Sequence, residues 1–244
     1  MKNAKIRRIL LLLACAVLLV SLSVGATLAY LTSTKTVTNT FTVGKVDIKL
    51  DEAPVDPETG KAKADVARTE TGNTEVVMVP GRLIDKDPTV TVLKGSEDCY
   101  VRVKVTVDVS EGFNTTNTTL EGSTTWEDFF TKWANGFANT YIRNADNPGF
   151  NTVNWDISAP VIKPDASTIT YVLTYKKGTD NIVAKATTDT SLEPVFTHIE
   201  VPGIQDKDDL SKLAGMSINV VAEAIQAEGF ATEAAAWQAF ENQP

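Results

Sequence analysis

Residues 99–109 read CYVRVKVTVDV, and their alternation decides the fold class. Val101, Val103, Val105, Val107 and Val109 share one parity, and Tyr100, Arg102, Lys104, Thr106 and Asp108 share the other. Successive side chains of a strand point to opposite faces, so this stretch has one apolar face and one wet face. That is a strand of an antiparallel sheet, and Cys99 carries the parity of the apolar face, which suits an inert core thiol.

The same period recurs on both sides. Downstream, Ile169, Tyr171, Leu173 and Tyr175 alternate within Thr168–Lys176, and Ile218, Val220, Ala222 and Ala224 within Ser217–Gln226. Shorter strands are predicted at Glu75–Val79, Thr89–Leu93, Thr152–Ile157 and Phe196–Val201. Lys177–Asn181 reads as a hairpin turn leading into a strand at Ile182–Thr187. Upstream, Val37, Asn39, Phe41 and Val43 alternate, and after Gly44 the phase passes to Val46, Ile48 and Leu50, as at a bulge. Asp51–Asn73 has two prolines, many charges and no period, and reads as a long surface loop.

Two segments carry helical period. Trp126, Phe129, Phe130, Trp133 and Phe137 make an amphipathic stripe, with Thr124 and Glu127 as a capping box and Gly136 as the stop. An aromatic stripe of this density is the face that packs on a sheet, or else a carbohydrate-binding platform. Near the end, Thr232 caps a short Ala-rich helix that reaches about Asn242, anchored by Trp237 and Phe240. Asp208–Leu213 reads as a helical turn. Strands dominate, so the expected class is all-β: a jelly-roll-like β-sandwich with one or two short helices on its flank.

The first fifty residues set the organisation. Lys2, Lys5, Arg7 and Arg8 precede the apolar run Ile9–Val20, and small residues follow: Ser21, Ser23, Gly25, Ala26 and Thr27. This is the layout of a secretory signal peptide over residues 1–29, with the cut expected between Ala29 and Tyr30. Left uncut, Ile9–Leu31 is long enough to span a bilayer, so a retained anchor is the alternative, and the membrane is met only through that segment. A lipoprotein reading of Leu12–Cys15 fails because the apolar run before Cys15 is too short and continues past it. Residues 30–244 then form a single secreted domain. Losing the four cations takes the formal net charge from −8 to −12. An acidic chain of this kind has no basic footprint for nucleic acid.

GATLAYLTSTKTVTNTFTVGKVDIKL, residues 25–50, resembles the N-terminus of the TasA/camelysin family of secreted Gram-positive proteins. The features that carry it are Gly25, Ala26, Thr27, Ala29 and Tyr30, then Asn39–Phe41, Gly44 and Val46–Ile48. Pro80–Gly81, Asp87–Val90, Cys99–Val101, Ala224–Phe230 and Ala236–Trp237 extend it along the chain. The resemblance implies cleavage by a dedicated signal peptidase and one of several family roles: matrix fibre subunit, spore-associated protein or surface peptidase.

The sequence carries little chemistry. His198 is the only histidine, there is no H-E-x-x-H, and His198 with Glu200 makes two ligands where a catalytic zinc takes three. A Cys99–His198 dyad and a calcium loop at Asp206–Asp209 are weaker readings than a core thiol and a solvated acidic loop. No P-loop, G-x-S-x-G or G-x-G-x-x-G occurs. The expectation is a non-enzyme with no cofactor: a homo-oligomeric fibre subunit found in the extracellular matrix or at the cell surface. A camelysin-like metallopeptidase and a monomeric glycan-binding module are the alternatives. For the fibre, Tyr30–Phe41 is the expected donor strand, with Val37 and Phe41 as its inward anchors.

Overall fold

The computed structural model describes residues 45–73, 76–109, 123–145, 147–201, 203 and 215–242. All of them belong to one unit, Gly44–Pro244. Ala29, Tyr30, Val37 and Phe41, the expected calcium loop at Asp206–Asp209, the turn at Asp208–Leu213 and the start of the Glu75–Val79 strand lie outside the described residues.

The described residues hold twelve strands and two α-helices. The strands are β1 Ile48–Asp51, β2 Leu83–Asp85, β3 Thr89–Val92, β4 Cys99–Asp108, β5 Ile142–Asn144, β6 Asn147–Pro148, β7 Trp155–Ile157, β8 Val161–Lys163, β9 Thr168–Tyr175, β10 Thr190–Ser191, β11 His198–Glu200 and β12 Ser217–Gln226. They form three antiparallel sheets ordered β1-β3-β10, β2-β11-β5-β6 and β12-β4-β9-β7, with β8 also paired to β9. The molecule is thus the expected all-β sandwich, flanked by α1 (Trp126–Tyr141) and α2 (Glu233–Glu241).

The Val101–Val109 face is buried throughout and belongs to one core with Val90, Val92, Trp155, Ile169, Leu173 and Ile199, drawn from all three sheets. Each such side chain contributes about 1.5–3 kcal/mol on burial. α1 closes this core with Phe130, Ala134 and Phe137, and Trp126 donates its indole N–H to the Pro164 carbonyl at 3.2 Å. The opposite face of β4 and β12 is covered at one end by α2. There Tyr100, Ile225, Ala227, Ala236 and Trp237 form a second, smaller cluster. Arg102 ties that cluster together: its guanidinium lies 4.2 Å from the Trp237 ring centroid and bonds both Glu223 and Glu241.

Several expected elements differ from the observed ones. The α1 cap is Thr125, whose hydroxyl accepts from the Asp128 amide, so the Thr124–Glu127 box does not form. Gly136 does not stop the helix: its φ is not positive, and Phe137 and Tyr141 extend the aromatic stripe another turn. Ile182–Thr187 is no strand. β9 already pairs with β4 on one side and with β7 and β8 on the other, so the returning chain reaches only a single bridge, Val183 to Cys99. Residues 76–79 keep their alternation but join no ladder; the Val77 amide bonds Pro57 and its carbonyl takes Arg82. Thr152–Asn154 is a turn built on Asn151, which leaves only Trp155–Ile157 as strand. Phe196 and Val195 are buried loop residues ahead of β11.

Candidate functional site

The site begins with the register of β12. Ala227 donates to the Asp98 carbonyl at 2.7 Å, and the β12–β4 ladder runs unbroken from Ser217↔Asp108 to Gln226↔Cys99. Inward and outward backbone groups alternate along an antiparallel strand. The odd-numbered residues therefore bond β4, and Ile218, Val220, Ala222, Ala224 and Gln226 turn their N–H and C=O groups outward. Among the described residues no strand pairs with that side.

A second edge faces it. β1 packs against β12. Leu93 donates to the Asp47 carbonyl at 2.9 Å, and Glu52 exchanges both backbone bonds with Thr69 on the opposite side. By the same alternation Ile48 and Leu50 turn their backbone groups outward. Between and around the two edges lies a cleft of about 930 Å³. Leu50 lines it from β1, Ile218 and Val220 from β12, and Met216, Val76 and Met78 from the adjoining chain.

Charge holds the β1 side in place. Asp51 is buried and bonds Lys49 at 2.8 Å and Arg68 at 2.5 Å. Burial pushes the Asp51 carboxyl up, but the hydrogen bonds and charges of Lys49 and Arg68 outweigh it and hold the group below the usual carboxylate range. Arg68 continues to Asp87 and to the backbone of Asp51 and Asp87. Buried Glu52 takes Lys86 together with the amide and side chain of Asn73. Of the stretch read as a surface loop at 51–73, Asp51 closes β1, and the rest is tied back by the bridges Glu52–Thr69 and Val55–Ala62 and by Arg68 and Asn73.

The other candidates stand apart from this cleft or have their groups engaged. His198 and Glu200 share a face of β11, as strand parity requires, yet His198 Nε2 lies 3.3 Å from Asp85 and Nδ1 2.8 Å from the Thr197 hydroxyl. The Glu200 carboxylate is bonded to Arg143. Cys99 is fully buried in the five-stranded sheet while His198 is in the four-stranded one, and burial pushes the thiol up to about 11. Among the described residues no three His, Cys, Asp or Glu side chains are grouped to hold a metal.

Sequence reasoning found β12 but not its edge position, and it missed the cleft. Its lining comes from segments far apart in the chain, and the one local signal was the alternation of Val76 and Met78 with Val77 and Val79. Among the described residues no helix is long and apolar enough to cross a membrane. No protein-family model, curated protein or solved structure matches the chain.

Proposed function

We propose that this chain is a secreted structural subunit of an extracellular or biofilm-matrix fibre that assembles by donor-strand exchange. One observation carries the reading: the edge of β12, unpaired among the described residues, beside the outward edge of β1 at a cleft that both strands line. An edge of this kind is a template for a further strand, because its backbone groups remain free to bond. Tyr30–Phe41 has the matching character, with a single charge at Lys35 and a run of Thr, Val and aromatic residues. As a strand its twelve residues span about 40 Å, against about 34 Å for the ten of β12.

In this reading a signal peptidase cuts between Ala29 and Tyr30 and so frees the donor. One subunit's donor fills the next subunit's cleft, a head-to-tail contact that grows an open filament. The chain is structural, needs no cofactor and takes copies of itself as partners. Deleting Tyr30–Thr38 tests it. The expected product is a folded monomer, by sedimentation and circular dichroism, that forms no filaments in electron micrographs. Normal filaments from the truncated protein would reject the donor assignment, and an unfolded product would place the segment in its own subunit's sheet.

A further inference from the structure

The chain carries methionine at three positions, Met1, Met78 and Met216. Met1 belongs to the segment expected to be removed. The other two, 138 positions apart in sequence, both line the cleft between β1 and β12. Both are half-buried residues of that lining. Met78 faces inward because Val77 and Val79, its neighbours of opposite parity, are the exposed ones. Met216 sits immediately before β12. The remaining sulfur of residues 30–244 is Cys99, which has no solvent exposure. Burial also raises its thiol, and peroxide attacks the thiolate form.

We propose that the cleft is a peroxide-sensitive site in which oxidation of Met78 and Met216 closes it to an incoming strand. The proposal rests on the assembly reading above and adds its regulation. The chemistry is a two-electron oxygen transfer. The thioether sulfur attacks the distal oxygen of a hydroperoxide, the O–O bond breaks, an S–O bond forms, and the peroxide leaves as water or alcohol. The product is a methionine sulfoxide, polar and reducible by methionine sulfoxide reductases. The apolar part of the cleft lining, with Leu50, Val76, Ile218 and Val220, then carries two strong acceptor oxygens. A docked strand would have to bury them, and a buried acceptor without a donor disfavours docking. Soft methionine walls that accommodate a variable apolar strand become walls that reject it.

The experiment uses protein cleaved between Ala29 and Tyr30. It is treated with hydrogen peroxide, mapped by mass spectrometry and scored for assembly by sedimentation and electron microscopy. The expected result is one added oxygen on each of Met78 and Met216, at least a tenfold fall in assembly rate, and recovery after sulfoxide reductase treatment. In Met78→Leu/Met216→Leu the ratio of treated to untreated rates should stay near one, whatever the variant's own rate. Unchanged assembly by protein carrying both sulfoxides would overturn the proposal. So would methionines that resist peroxide, or an equal loss in the double variant. Untreated protein that forms no filaments would instead reject the fibre reading itself, and this inference with it.

Discussion

At one margin of the five-stranded sheet lies β12, ten residues of unbroken strand. At the other lie β7 and β8, three residues each, separated by Ser158–Ala159–Pro160. Their registers against β9 do not match. Ile157 pairs with Leu173 and Val161 with Thr170, so three residues on one strand oppose two on the other. This is a bulge, reinforced by a proline that has no N–H to offer. Both devices blunt an edge against further pairing. β12 has neither, and Val221 on it is 42% exposed. The two margins thus differ in regularity, and the proposed strand addition at β12 is set against that difference.

The anchoring of the two margins differs as well, which gives the largest expected effect. β7 is pinned by Trp155, 1% exposed, whose indole donates to the Glu193 carbonyl at 3.0 Å. On the core face β12 instead contributes small, partly buried residues such as Ala222 and Ala224. Trp155→Ala should cost about 3–5 kcal/mol, a fall in melting temperature on the order of 10 °C. Thermal melts followed by near-ultraviolet circular dichroism check this. A loss under about 1 kcal/mol would mean that β7 is not held as its burial indicates.

Prolines placed one residue apart on β12 come next. At Val221 the amide faces β4, so Val221→Pro strips the Lys104 carbonyl of its donor and costs about 1–3 kcal/mol. At Val220 the amide faces outward, so Val220→Pro removes a docking donor and no internal bond. The expected outcome is a destabilised fold for the first and a stable fold that fails to assemble for the second. Urea titration and sedimentation separate the two. Equal destabilisation would show that the inferred alternation of β12 is wrong.

Which parts of this comparison the sequence made legible follows from the range of the interactions. The valines of β4 and the Ser217–Gln226 strand were readable because parity is local. The Trp126–Phe137 stripe and the Thr232 cap were readable for the same reason. Which strand becomes an edge is set by pairings between residues far apart in the chain, from Ser217 with Asp108 to Gln226 with Cys99 in β12 and β4. Ile182–Thr187 shows the limit clearly: its composition suits a strand, and only the occupancy of both sides of β9 denies it a partner. The cleft was illegible for that reason too, since Leu50, Met78, Ile199 and Met216 meet only once three sheets have packed.

The guarded margin can be opened. Deleting Ala159 together with Pro160→Val removes the extra residue and the proline, and joins β7 to β8 in a single register with β9. Stability should change by no more than about 1 kcal/mol, because the segment is exposed. Association should change more, with side-by-side aggregates that do not depend on Tyr30–Phe41. Light scattering of the truncated and full-length variants measures this. If the repaired margin stays monomeric, the bulge and proline are not what protects it.

The smallest effect concerns the β1 side of the cleft, where charge adds to the β1–β3 ladder. Asp51 titrates below its ordinary value of 3.8 in the folded protein, because Lys49 and Arg68 outweigh the opposing effect of burial. A folded-state pKa below the unfolded one means that the unfolded chain binds the proton more readily. The carboxylate's contribution to stability is therefore complete above the ordinary value and is lost as pH falls from there through the lower folded value. Lys49 and Arg68 keep their charge throughout that window, since their partners raise both. Melting temperature should fall on acidification below about pH 4, and Asp51→Asn should flatten that limb while lowering stability at neutral pH. Arg68→Met should flatten it as well, since the partner is gone. Melts of the three proteins across this range decide the point. If all three show parallel acid limbs, other carboxylates set the acid sensitivity, and the charged wall of the cleft contributes no more than its packing.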